Sequence, residues 1–147
     1  MKQLFTVLLA AGFLLTGCSK DKNVNQPVPL ELKGNWAISY AKDVSALQFD
    51  VTRTAYPTIS FKDRSGNASA GCNIIQFGVR APGTGNDLIL NNLSITNIAC
   101  VNYAPTETGI MKNLELTQRF KIENRELKLF DGNGTILLKA DRIYAID

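Results

Sequence analysis

Short apolar runs broken by Gly, Asn, Asp and Pro recur along most of this chain, the pattern of antiparallel strands joined by hairpins. In "NWAISYAK" the residues Trp36, Ile38 and Tyr40 alternate onto one face, and in "LQFDVT" Leu47, Phe49 and Val51 do the same. "TISFKD" leads into a turn at "RSGN" and returns through "ASAGCNIIQFGV", a strand that contains Cys72. A Pro/Gly-rich loop, "APGTGND", precedes "LILNNLSITNIAC", in which Asn91-Asn92 predicts a turn. "RFKIENRELKLFDGNGTILLKAD" reads as three strands with turns at Asn124-Arg125 and at Asp131-Gly132-Asn133-Gly134. One segment changes period: Ile110, Met111 and Leu114 recur at helical spacing, which predicts a short helix from about Thr106 to Leu116. The fold class is therefore mainly β with one short α-helix.

The first residues follow a different logic. "MKQLFTVLLAAGFLLTGCSK" has a positive charge at Lys2, an apolar run from Leu4 to Leu15 and the lipobox Leu15-Thr16-Gly17-Cys18. The run is shorter than the roughly 20 apolar residues that a spanning helix needs, so it reads as a secretory signal peptide over residues 1–17. Its resemblance to bacterial lipoproteins implies that Cys18 becomes the acylated mature N-terminus, with a diacylglyceryl thioether on its sulfur and a palmitate-type chain on its amine. Several chains anchor stably where one holds only marginally. The polar stretch "SKDKNVNQPVP" makes residues 18–29 a flexible tether. Ser19 stands where an Asp would resemble an inner-membrane retention signal, so the expected address is the outer membrane, facing the periplasm or, in a second reading, the cell surface.

Residues 30–147 are then one domain's worth of chain, long enough for a single core. Sixteen Lys and Arg against 13 Asp and Glu, with no basic cluster, argue against a nucleic-acid partner.

Within that domain the residues resemble the META domain (HslJ-like lipoprotein) family. The likeness rests on Gly34-Asn35-Trp36, Ile59-Ser60-Phe61, Gly71-Cys72-Asn73, Thr96 with Ala99-Cys100, the helical segment around Leu114, and Leu127-Lys128-Leu129. Its specific part is Gly-Cys-Asn followed by Thr-x-x-Ala-Cys. Ile98 stands where the family usually has Met, and Gly78-Val79-Arg80 replaces a commoner Gly-x-Tyr. The resemblance implies a small antiparallel β-barrel of calycin-like topology with the helix packed on it, and a loose link to stress response, secretion and drug tolerance.

Candidate chemistry is sparse. A cysteine nucleophile needs a base, usually His, and the chain has no histidine. A zinc or iron site wants four ligands, whereas the domain offers only Cys72 and Cys100, so neither a metal nor another cofactor is expected. In an oxidising envelope the two thiols suit a disulfide, the alternative being two buried reduced thiols. Gly71 and Asn73 either line a ligand site or serve a close backbone approach that glycine permits. Asp87, Glu107 and Asp131 show no spacing that selects an acid/base pair. "DGNG" lacks the later Glu of a calcium loop, and "GTGND" lacks the Lys of a phosphate loop. The expected function is a non-catalytic, lipid-anchored binding module with an envelope protein partner. The alternative is a small-molecule or lipid carrier using the barrel mouth, unless Trp36, Phe61, Phe77 and Phe120 fill it.

Overall fold

A computed structural model describes residues 27–44, 56–82, 85–99 and 102–143. The strands are β1 (Gly34–Ala41), β2 (Thr58–Phe61), β3 (Ser65–Ser69), β4 (Ile74–Arg80), β5 (Ile89–Ile95), β6 (Arg119–Glu123), β7 (Glu126–Phe130) and β8 (Ile136–Arg142). The helix α1 (Ala104–Glu115) lies between β5 and β6. Among the described residues these eight strands form one sheet in the order β5-β4-β3-β2-β1-β8-β7-β6. Each of these neighbouring pairs is antiparallel, and β1 with β8 joins strands distant in sequence.

The sheet curls until its edges meet at one end. Leu88 N donates to Gln118 O at 2.9 Å and Phe120 N to Asn86 O at 2.9 Å, on either side of a bridge between Asp87 and Arg119. Period-two patterning explains what lies inside. Ile75, Phe77 and Val79 of β4 and Leu127 and Leu129 of β7 are all buried, with Gln76, Gly78 and Lys128 between them facing outward. Trp36, Phe61, Phe77 and Phe120, each no more than 3% exposed, occupy the interior, and the rings of Phe61 and Phe77 meet edge-on at 5.8 Å.

One end of the barrel is built around Trp36. Its indole Nε1 donates to Leu32 O at 3.0 Å, and the Arg142 guanidinium from β8 lies 4.2 Å from its ring centroid. Arg142 also donates to the carbonyls of Lys33, at 2.9 Å, and Glu31. The first and last strands are thus tied by an arginine stacked on a tryptophan.

The three C-terminal strands and both their turns form as the sequence predicts. Asn124 and Arg125 adopt φ of 49° and 73°, the left-handed pair of a tight hairpin. Three local expectations change. Tyr40 does not share the inner face of Trp36 and Ile38, because a bulge between Ile38 and Tyr40 turns it outward, under the Lys139 ammonium, and buries Ala41 instead. Asn91-Asn92 is not a turn: β5 runs through it, with the extra residue absorbed by a register shift against β4 and a φ of 52° at Asn92. Cys72 is not in a strand, since the stretch read as one return strand breaks between Ser69 and Ile74 into β3 and β4. The expected strand "LQFDVT" lies outside the described residues. Among the described residues no helix is long and apolar enough to cross a membrane.

Candidate functional site

The motif residues converge where the β3–β4 connection, the segment after β5 and the first turn of α1 meet. Gly71 makes the bend possible: its φ is +114°, and a Cβ there would lie 3.0 Å from the Tyr103 ring at the helix start. Ser69 Oγ accepts the Gly71 N–H at 3.2 Å, which tightens the bend. Cys72, next in sequence, is disulfide-bonded.

Asn73 is the hub. Its backbone N–H and its Nδ2 donate to the two carboxylate oxygens of Glu107, at 2.6 Å and 2.8 Å. Its Oδ1 accepts from Thr96 Oγ1 at 2.9 Å and from Ile98 N at 2.8 Å, while Nδ2 also donates to Ile98 O at 3.2 Å. Thr96 completes the connection by accepting from Ile74 N at 3.0 Å. One side-chain amide therefore clamps three segments, and every polar atom it owns is used. Asn73 and Glu107 are both buried, at 6% and 3% exposure. A buried carboxylate is tolerated here because two donors face it and because it sits in the first turn of α1, where the helix dipole favours negative charge.

The helix is seated by the same geometry. Ile110 and Leu114, one and two turns beyond Glu107, are fully buried. Asn113 Nδ2 donates to Lys42 O at 2.8 Å, tying α1 to the end of β1, and Thr117 Oγ1 donates to Asn113 O at 2.9 Å. Among the described residues no buried side-chain polar atom is left without a partner.

Gly71, Cys72, Asn73 and Thr96 are thus brought together, whereas Ala99 is exposed in the segment beyond and Cys100 and Cys18 lie outside the described residues. The three carboxylates considered for acid/base work have separate duties. Asp87 sits at the barrel seam, Glu107 holds Asn73, and Asp131 accepts the backbone N–H groups of Asn133 and Thr135 in its loop. Glu107 was not singled out by sequence reasoning as the partner of the motif. Its signal is an acid in helical phase with Ile110 and Leu114, a charge on the face that must be buried. Tyr103, which packs against Gly71, carried no signal at all.

A curled antiparallel sheet with a plugged interior, and the helix α1 latched to it through Gly-Cys-Asn, defines a small β-barrel module. The chain belongs to the META domain family, whose model matches residues 29–142. Among solved structures it is similar to a protein from Burkholderia xenovorans determined by NMR, with a TM-score of 0.60 and 22% identity over 78% of this chain and 85% of that one. It is also similar to a DUF4847 family protein from Bacteroides vulgatus ATCC 8482, with a TM-score of 0.52 and 13% identity over 79% of this chain and 96% of that one. Both likenesses concern the fold. No curated protein matches the chain.

Proposed function

We propose that this chain is a non-catalytic, lipid-anchored outer-membrane protein whose barrel is a binding module connected with envelope integrity or stress response. The observation that carries this reading is the inward direction of the motif: both oxygens of Glu107 and all the polar atoms of Asn73 are committed to holding the fold. A motif so consumed builds a scaffold and leaves recognition to the outer surface. The four aromatic rings in the interior weigh against the carrier alternative, which needs that volume for its ligand.

The anchor follows from "LTGC" at residues 15–18, and the second half of the disulfide from Cys100, two positions after the Ile98 that Asn73 holds. Cells producing the protein with Cys18→Ser should accumulate a precursor that carries no labelled palmitate and is not correctly processed. Deletion should sensitise cells to envelope stress, with rescue by the wild type but not by Cys18→Ser. Retention of label in the Ser variant refutes the anchor. A single exposed carboxylate or serine whose removal abolishes rescue at normal abundance would instead mark an enzyme.

A further inference from the structure

The outer surface of the sheet is divided into two chemically different halves. On β6, β7 and β8 the outward rows are charged. Lys121, Lys128 and Lys139 stand in one register, and Glu123, Glu126 and Asp141 in the next. Ion pairs of 2.7 to 3.4 Å join Glu123 and Glu126 to Lys121 and Lys128. This is how an exposed sheet face is ordinarily kept soluble. On β2, β3, β4 and β5 the corresponding rows carry hydroxyls and amides. Ser60, Asn67, Gln76 and Ser94 align directly across the four strands, and Ser65, Gly78 and Asn91 form the adjoining row.

That composition works against the strands that bear it. Asn, Gly and Ser are depleted in β-strands because they pack poorly and favour turns. Yet β3 reads "SGNAS", and β5 carries two asparagines at its centre. Such a conflict between local preference and fold is expected where the side chains serve recognition. The rows also form a concavity: a trough of about 460 Å³ lies over them, bounded by Lys62, Asn67, Gln76 and Asn92, with Gly78 in its floor. Volumes of about 300 to 1,000 Å³ are those of small-molecule sites. A Cβ on Gly78 would approach Asn91 Oδ1 to 2.2 Å, so glycine there makes room for the Asn91 amide to lie across β4 beside the trough. Within the rows Ser60 donates to Asn67 at 3.0 Å, whereas Gln76 and Ser94, and Asn92 at the trough's rim, have no side-chain hydrogen-bond partner among the described residues.

We propose that this trough binds an acidic oligosaccharide. Primary amides offer a donor and an acceptor side by side, which matches a pair of neighbouring sugar hydroxyls, and serines extend the match. The one charged residue in the lining is Lys62, so the complementary ligand carries a carboxylate or phosphate. A peptide suits the trough less well. Peptides are read at a free strand edge or in an apolar groove, whereas β3 and β4 are paired on both sides and the lining is polar. This inference rests on the binding-module reading and supplies its partner class.

The test is a titration of the isotope-labelled full chain, purified in detergent, with tetragalacturonic acid and with neutral chitotriose, followed by NMR. Tetragalacturonic acid should move the side-chain amide signals of Asn67, Gln76 and Asn92 and leave those of Asn73 and Asn113 in place. Gln76→Ala should weaken binding about tenfold, and Lys62→Gln should abolish the preference for the acidic sugar over chitotriose. Both side chains are exposed, so unchanged amide spectra elsewhere will show the variants folded. Trough signals unmoved by both sugars, or binding that Gln76→Ala and Lys62→Gln leave unchanged, overturns the inference. Because the titration does not depend on acylation, the sugar inference can fail while Cys18→Ser still loses its palmitate label, and the converse is equally readable.

Discussion

Replacing Glu107 with Gln changes one oxygen to an NH2 group and nothing else in shape, which isolates the electrostatic part of the latch. The Gln carbonyl can still accept the Asn73 N–H, now held at 2.6 Å, but its NH2 then faces Asn73 Nδ2, a donor 2.8 Å from the present carboxylate oxygen. Rotating the Asn73 amide is no remedy, because its Oδ1 already accepts from Thr96 and Ile98. One buried donor must therefore go without an acceptor, at about 1 to 3 kcal/mol, and the surviving bond loses its charge assistance, worth about 1 kcal/mol more. We expect Glu107→Gln to destabilise the protein by about 3 kcal/mol, or on the order of 10 °C in Tm for a domain of this size. Asn73→Asp, which sets a second carboxylate against Glu107, should cost at least as much. Thermal and urea unfolding followed by circular dichroism would measure both. A Glu107→Gln variant melting within about 2 °C of wild type would refute the latch as a principal source of stability.

Protein unfolded in denaturant should show no free thiols before reduction and two after, with Cys18 blocked as a thioether; closing Cys72 to Cys100 contributes about 3 to 4 kcal/mol in the chain-entropy picture. Two reactive thiols without reductant would refute that pairing. Arg142→Ala should lower stability by about 2 kcal/mol through the lost ring stacking and carbonyl caps, and Arg142→Lys should recover less than half of it in urea unfolding, because an ammonium cannot stack and fork together. The backbone N–H of Thr135, first among several donors, holds the Asp131 carboxyl below its ordinary value. Its stabilisation is thus present above the unfolded-state pKa and lost as pH falls through the lowered one. The Tm difference between wild type and Asp131→Asn should accordingly be constant near neutrality and close under strongly acidic conditions, as read by melts across pH.

The parts of this fold that are local in sequence were legible in it. Period-two burial in β4 and β7, the left-handed turn at Asn124-Arg125 and the helical face of Ile110 and Leu114 each follow from residues within a few positions of one another. What escaped depends on partners far along the chain or on a slipped register. Tyr40 alternates correctly in the sequence, yet one bulged residue before it reverses its face. Asn91-Asn92 has turn chemistry, and pairing with β4 overrides it. Of the latch, Gly71-Cys72-Asn73 and Thr96 were visible as a motif, but nothing near them announces Glu107, which reaches Asn73 only once α1 has docked. The amide and hydroxyl rows were invisible for the same reason: Ser60, Asn67, Gln76 and Ser94 become neighbours only through strand register.

The seam beside Asp87 gives the molecule a preferred place to breathe. A fully closed barrel has no edge, so loosening any strand disturbs two neighbours along its length. Among the described residues the edge leading into β5 meets β6 through the bonds at Leu88 and Phe120, while the neighbouring strand pairs are laddered. The least costly excursion from the native state is an unzipping at that seam, with the β6–β7 hairpin swinging on β8 and the latch keeping α1 against the strands opposite. Slow amide exchange then belongs to the β1–β8 and β3–β4 ladders, and the first protons to leave are those of Leu88 and Phe120.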